Sequence, residues 1–426
     1  MGRHQPSASR QLVANTHRTA ATSIQFIYQE GQVMTYVTDR VIHDADAHTM
    51  EPPEWLDEFA SKAVQDYART KFIANEGNPI FNEIDQCRVL QSDAEFRASA
   101  EKEIMQRKNY QAHGAWDSLD RSEALDHMGF ASQLVFPTMP NTLLEVMEHE
   151  SSPKLTYDTA SAANRAQVAF CSNDPRLLPV AYIPLQDLEL AAPCATEAIE
   201  TGASALLIPN RMPKNHAHSH IAFDAIWTQA QEAGIPIVMH VATPELVMPP
   251  QHRNNGLPPE PDFHGGGENF RSVSYMAISS PPIQALSTMI FDGVFDRFPK
   301  MKMGVIELGA AWLPSFMRQL EAAFDAFERH EQRLKILDLR PSDYVRRQVR
   351  VTPFPTEPTR WIIENTSDEI CMFSSDFPHV EGGRNPLRRF DNEVADLPSE
   401  TQDRFFRTNF EDLMGTAMSA LEDPSN

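Results

Sequence analysis

This chain lacks most of the features that announce a common function class. Its four cysteines, Cys87, Cys171, Cys194 and Cys371, are scattered and form no CxxC pair, which argues against a zinc ribbon or a redox dithiol. They read as small buried residues of a reducing compartment. Neither GxGxxG nor GxxxxGKS/T occurs, so nucleotide binding of those types is not expected. No apolar stretch approaches the roughly 20 residues that span a bilayer, and the N-terminus lacks the apolar stretch of a secretion signal. A cytoplasmic protein without membrane attachment is expected. Positive charge is also short: 37 Lys and Arg stand against 59 Asp and Glu, a formal charge of -22. Such a surface repels nucleic-acid phosphates, which leaves a small molecule as the expected partner.

What is present is length and buried-strand character. With 426 residues and a 41% hydrophobic share, the chain suits one large barrel with insertions. Residues 1 to about 22 are polar and aperiodic and read as a tail. Ser23–Tyr28 and Gln32–Val37, around a Glu30-Gly31 turn, read as a β-hairpin, giving an N-terminal region of residues 1–40 that packs on the barrel or on a second subunit. From residue 41 to 426, short runs rich in Val, Ile and Leu alternate with amphipathic stretches, the pattern of parallel strands with crossover helices. The expected strands are Val41–Ala47, Gln133–Phe136, Leu178–Ile183, Ala205–Ile208, Ile235–Met239, Lys302–Ile306, Gln348–Thr352 and Glu369–Phe373. Between them lie helical patterns such as Arg121–Met128, Leu188–Thr201, Ala222–Ala233, Ile283–Phe298 and Trp312–His330. Eight such units predict an α/β fold, a closed (β/α)8 TIM-type barrel. Insertions are expected near 52–115 and 243–274, the second containing His264-Gly-Gly-Gly267 and suited either to a lid or binding wall or to a disordered insertion. The Met and aromatic positions of the last two helical patterns are barrel packing, with one face available to a homodimer.

Four segments carry the chemistry. In Asp44-Ala-Asp-Ala-His48, strand alternation puts Asp44, Asp46 and His48 on one face, and charged groups inside a barrel need a partner such as a divalent cation. The fifth strand is apolar until His240, the sixth is followed by Glu307, and the eighth by Ser374-Ser-Asp376-Phe-Pro-His379. Each has a bland alternative: a capping Asp, a satisfied core His, a salt bridge, a turn before Pro378. Their coincidence with the C-terminal ends of strands favours an active site, because barrel enzymes assemble theirs at that face.

These segments, with Glu51-Pro52, Trp312-Leu-Pro314, Arg121–Gly129, Asn164, Asp174-Pro-Arg176 and Pro184-Leu-Gln-Asp187, resemble the amidohydrolase-2 family, the group related to aminocarboxymuconate-semialdehyde decarboxylase. The resemblance runs from Val41 to about Phe390, and Ser375-Asp376-Phe-Pro-His379 is its most specific part. It implies a single divalent ion, zinc first with manganese or iron as alternatives, held by Asp46, His48, His240 and Asp376. Two departures stand out: Asp46-x-His48 replaces the decarboxylases' HxH, and Glu307 replaces their His after strand six. No Lys ends the fourth strand, Ala205-Leu-Leu-Ile-Pro-Asn210, so a binuclear centre bridged by carboxylated lysine is not expected.

The leading expectation is a metal-dependent hydrolase acting on an ester, thioester, amide or lactone. In it the ion acidifies a water, Asp376 takes the proton, Glu307 orients the water, shares the metal or protonates the leaving group, and His379 steadies Asp376. The alternative is non-oxidative decarboxylation of a carboxylated aromatic or unsaturated acid. That reaction calls for cationic side chains near the metal, and Arg253, Arg271 and Arg384 are the sequence's candidates. A non-catalytic binding scaffold ranks last, since the ligand set is complete.

Overall fold

The computed structural model describes residues 35–52, 54–70, 79–241, 248–252, 254–258 and 271–422. Seven strands, β1 His43–Thr49, β2 Ser132–Pro137, β3 Leu177–Tyr182, β4 Ala205–Leu207, β5 Ile237–His240, β6 Met303–Ile306 and β7 Val349–Val351, form one parallel sheet in chain order. Every residue of every strand is buried, which explains the unbroken Val, Ile and Leu runs: barrel strands face side chains within and helices without.

The eighth expected strand, Glu369–Phe373, closes the ring without forming a regular ladder. Val351 donates its N–H to Ile370 and Met372 returns one to Val351, both at 2.9 Å. On the other side Ala45 donates to Phe373 at 3.1 Å, His48 to Phe377 at 2.7 Å, and Asp376 to Asp46 at 2.8 Å. The segment thus bonds to β7 first and to β1 afterwards, bending on the way at Asp376, whose φ is 53°. The architecture is the (β/α)8 barrel.

Boundaries shifted where local chemistry overrode the pattern. β1 starts two residues later than expected and runs through His48. The helix expected over Ile283–Phe298 is two, Ser280–Phe291 and Val294–Arg297, separated at Gly293 with φ 75°. Helix Ser118–Met128 is capped by the Asp117 carboxylate, which accepts from Leu119 and Asp120, and stops at left-handed Gly129.

The insertion after β1 is largely helical, with helices Trp55–Phe59, Lys62–Ala68, Pro79–Ser92 and Ala94–Ala98. Its last part is tied to the barrel mouth: Asn109 donates to the Pro378 carbonyl at 2.8 Å, and the Tyr110 hydroxyl to the Glu51 carbonyl at 3.1 Å. The expected N-terminal hairpin lies outside the described residues except Thr35–Val37, where the N–H groups of Tyr36 and Val37 reach the carbonyls of His127 and Met128. Of the second insertion, Arg253 and His264–Gly267 also lie outside them. No helix among the described residues is long and apolar enough to cross a membrane.

Candidate metal centre

The donors singled out in the sequence meet at the C-terminal mouth of the barrel. His48 Nε2 lies 3.2 Å from Asp46 Oδ1 and 3.7 Å from Asp376 Oδ1, and His240 Nε2 lies 3.3 Å from Asp46 Oδ1 and 3.2 Å from Glu307 Oε2. His379 Nδ1 stands 3.1 Å from Asp376 Oδ1. Asp44 does not join them. The β1–β2 register slips between Asp44 and Ala47, a bulge that breaks strict alternation, and the Asp44 carboxylate instead binds Ser375 and Gln133. Burial drives its carboxyl up to about 7 against those hydrogen bonds.

The residues present fit a divalent cation. Asp46 Oδ2, His48 Nε2 and both Asp376 oxygens are buried with no hydrogen-bond partner among the described residues. Buried polar atoms are ordinarily satisfied, so four orphans in one place signal a missing ligand. Asp46, His48, His240 and Glu307 each offer an atom within 4.8 Å of the others, and His48, Asp376 and His379 form a second such group. Two groups aim the three imidazoles. His240 Nδ1 is 3.0 Å from the Val241 carbonyl, an acceptor only, so Nδ1 carries the hydrogen and the Nε2 lone pair faces the cluster. Thr138 Oγ1 touches His48 Nδ1 at 3.3 Å and His379 Nε2 at 3.1 Å. Burial lowers the His48 pKa well below the usual imidazole range, leaving it neutral as a ligand must be. Beneath, buried Arg121 donates to the His48 carbonyl at 2.9 Å and to Gln133 Oε1 at 3.1 Å.

Glu307 and Asp376 both sit at positive φ, 52° and 53°, a region unfavourable to side chains and worth roughly 1–3 kcal/mol of strain. Glu307 directly follows the apolar β6 run and Asp376 follows Phe373 by three residues, both where the chain turns sharply off the barrel. The Glu307 turn is held by Glu357, whose carboxylate accepts from Ala310 and Phe354 at 2.9 Å and Ala311 at 3.0 Å.

Beside the donors opens a cavity of about 190 Å³ lined by Glu307, Tyr275, Phe354, Thr356, Glu381 and Arg389, among others. The Tyr275 and Phe354 rings lie 5.3 Å apart and form an aromatic wall. Lys108 feels the charge of Asp376 and of Glu381, which lines this cavity, and its Nζ is buried with no hydrogen-bond partner among the described residues. Burial drops its ammonium to about 8, against the pull chiefly of Asp376, then Glu381 and Asp44.

Of the expected cationic residues, Arg271 begins helix Ser272–Ala277 and Arg384 is an exposed neighbour of Lys108. Lys108, Arg389 and Thr138 were missed. Only Thr138 carried a signal, following the apolar end of β2 as the other donors follow theirs.

The sequence profile of the Amidohydrolase family matches residues 44–415. Decarboxylase orsB of Emericella nidulans is 27% identical over 293 residues, covering 65% of this chain and 83% of that protein. Among solved structures, an amidohydrolase of Mycobacterium avium subsp. paratuberculosis K-10 superposes with a TM-score of 0.66 at 17% identity, over 89% of this chain and all of that one. The 5-carboxyvanillate decarboxylase of Novosphingobium aromaticivorans, complexed with manganese and 4-hydroxy-3-methoxy-5-nitrobenzoic acid, gives 0.58 at 18% identity, over 88% and 96% of the two chains. Barrel, donor cluster and profile agree that this chain is an enzyme and belongs to the Amidohydrolase family.

Proposed function

We propose that the protein is a metal-dependent, non-oxidative decarboxylase of a carboxylated aromatic acid. The observation that carries this reading is Lys108: a buried ammonium without a hydrogen-bond partner, beside the donor cluster, calls for an anion. Decarboxylase relatives support the same reading over hydrolysis. Asp46, His48, His240 and Asp376 would hold one zinc, manganese or iron ion. When bound, it supplies a Lewis acid for the substrate's oxygens. Tyr275 and Phe354 would flank the ring, and Lys108 would neutralise its carboxylate. In the reaction the bond from ring to carboxyl carbon breaks, carbon dioxide leaves, and the electron pair on the ring carbon takes a proton. Asp376 and His379, 3.1 Å apart, are suited to hold that proton.

One observation favours hydrolysis as a second reading: the group beside His240 at the end of β6 is a carboxylate, Glu307, suited to protonating a leaving group. The test is to incubate protein loaded in turn with manganese, zinc and iron(II) with 5-carboxyvanillate and other carboxylated phenols in D2O. Release of carbon dioxide with deuterium at the vacated ring position is expected. No release from any of them, alongside turnover of esters or lactones, would transfer the assignment to hydrolysis.

A further inference from the structure

A second cluster of metal-ligating groups stands apart from the barrel mouth, on helix Ser118–Met128 and the loop before it. Glu123 and His127 are four apart on this helix and so share a face. His113 is brought to them by Gly114, which takes φ +72° and packs so tightly that a Cβ there would lie 2.4 Å from the Arg121 Cα. The Glu123 carboxylate lies between two imidazoles: His113 Nε2 is 2.9 Å from Oε2 and His127 Nε2 is 3.7 Å from Oε1. One atom from each of the three residues falls within 4.8 Å of the others.

Two further facts show how the His113 ring is held, with Nε2 toward Glu123 and Nδ1 toward Asp120. His113 is 2% exposed, and its Nδ1 is buried without a hydrogen-bond partner among the described residues. Asp120 Oδ2 waits 4.0 Å from that atom, held in place by a two-pronged pair with Arg97 at 2.7 and 2.6 Å. A carboxylate on the far side of a ligating histidine serves to orient its ring, and here it stands beyond direct hydrogen-bond distance. Arg97 makes its short contacts to Asp120 and only a long ion pair, 3.9 Å, to Glu123 Oε2, so the Glu123 charge is shared between Arg97 and the imidazoles.

We propose that His113, Glu123 and His127 bind a second divalent cation, of the zinc, cobalt or nickel class, with solvent completing the shell. Two imidazoles and a carboxylate are the donor set such ions favour. The ion would fasten the loop that follows Lys108 and Asn109 to the helix that carries Arg121, bracing the barrel mouth from outside without entering the chemistry.

The test uses the full chain with two of the four barrel-mouth ligands replaced to disable that site, His240→Ala with Asp376→Asn, dialysed against cobalt(II) and read by metal analysis and visible absorption. About one cobalt per chain is expected, and adding His127→Ala, or separately Glu123→Ala at its half-exposed position, should weaken that binding roughly tenfold or more. In the otherwise unaltered protein the same two substitutions should lower the metal content from two ions per chain to one, with thermal unfolding still cooperative. Cobalt absent from the barrel-mouth variant, with the unaltered protein holding a single ion, would overturn the proposal. So would cobalt binding indifferent to both His127→Ala and Glu123→Ala.

Discussion

Ser375 donates twice to Asp44, from its backbone N–H to Oδ1 at 2.7 Å and from its hydroxyl to Oδ2 at 2.6 Å. Gln133 adds a third donor at 2.8 Å and the Asp46 N–H a fourth at 3.3 Å, so one buried carboxylate joins β1, β2 and the closing segment immediately before Asp376. Asp44→Ala would strand four buried donors, each worth about 1–3 kcal/mol when unsatisfied. The expected result is a loss of several kcal/mol in denaturant unfolding and, because Asp376 loses its support, at least a roughly tenfold weaker hold on the metal. Asp44→Asn should fall between. A variant that binds metal as the wild type does would remove Asp44 from the positioning of Asp376.

The candidate metal donors of the later strands were legible because each lies at or just beyond the end of an apolar run: His240 as the last residue of β5, Glu307 after β6, Asp376 after the closing segment. Asp44 misled because alternation assumes an unbroken strand, and the β1 bulge is invisible to a period-two pattern. The closing segment misled differently, reading as a strand by composition yet dividing its hydrogen bonds between two neighbours. Lys108 lies in a polar insertion with no apolar run beside it. Its position is set by contacts remote in sequence, Asn109 to Pro378 and Tyr110 to Glu51, which one sequence does not reveal.

Two adjacent glycines provide a controlled comparison. A Cβ on Gly382 would meet the Ser375 carbonyl oxygen at 2.1 Å and the Asp376 Cβ at 2.8 Å, whereas one on Gly383, at φ +74°, would meet nothing within 4 Å. Gly382→Ala must therefore move backbone beneath Asp376, and should lower metal affinity and activity roughly tenfold or more. Gly383→Ala carries only the left-handed backbone penalty, about 1–2 kcal/mol, with metal binding unchanged. Metal titration of both variants checks this, and equal metal affinity in the two would contradict it.

Lys108→Met separates function from stability. Removing a buried ammonium that lacks a partner relieves a desolvation cost of about 1–3 kcal/mol, so the variant should unfold at a higher denaturant concentration than the wild type. Its affinity for a carboxylated aromatic should fall roughly tenfold or more, while affinity for the decarboxylated phenol and the metal content stay the same. Lys108→Arg should restore part of the anion binding. If Lys108→Met were both less stable and unaltered in binding, the lysine would be a structural prop.

The last prediction concerns pH and a carboxylate remote from catalysis. Glu148 is 1% exposed and accepts from the Tyr182 hydroxyl at 2.9 Å and the Leu185 N–H at 3.3 Å. Burial outweighs both and raises its carboxyl from 4.5 to about 8. The folded protein therefore holds this proton where the unfolded chain has released it, so the stabilising contribution is complete below about 4.5 and is lost as pH rises through about 8. Each unit of such a difference corresponds to about 1.4 kcal/mol. Glu148→Gln keeps an acceptor for Leu185 and has no proton to lose, so its stability should decline less than that of the wild type across this window. Denaturant unfolding of both proteins at a series of pH values, with chelator present to exclude metal binding, measures the difference. Parallel curves would mean that Glu148 is already ionised in the folded protein at neutral pH, its charge balanced by Arg211, whose pull acts in that direction.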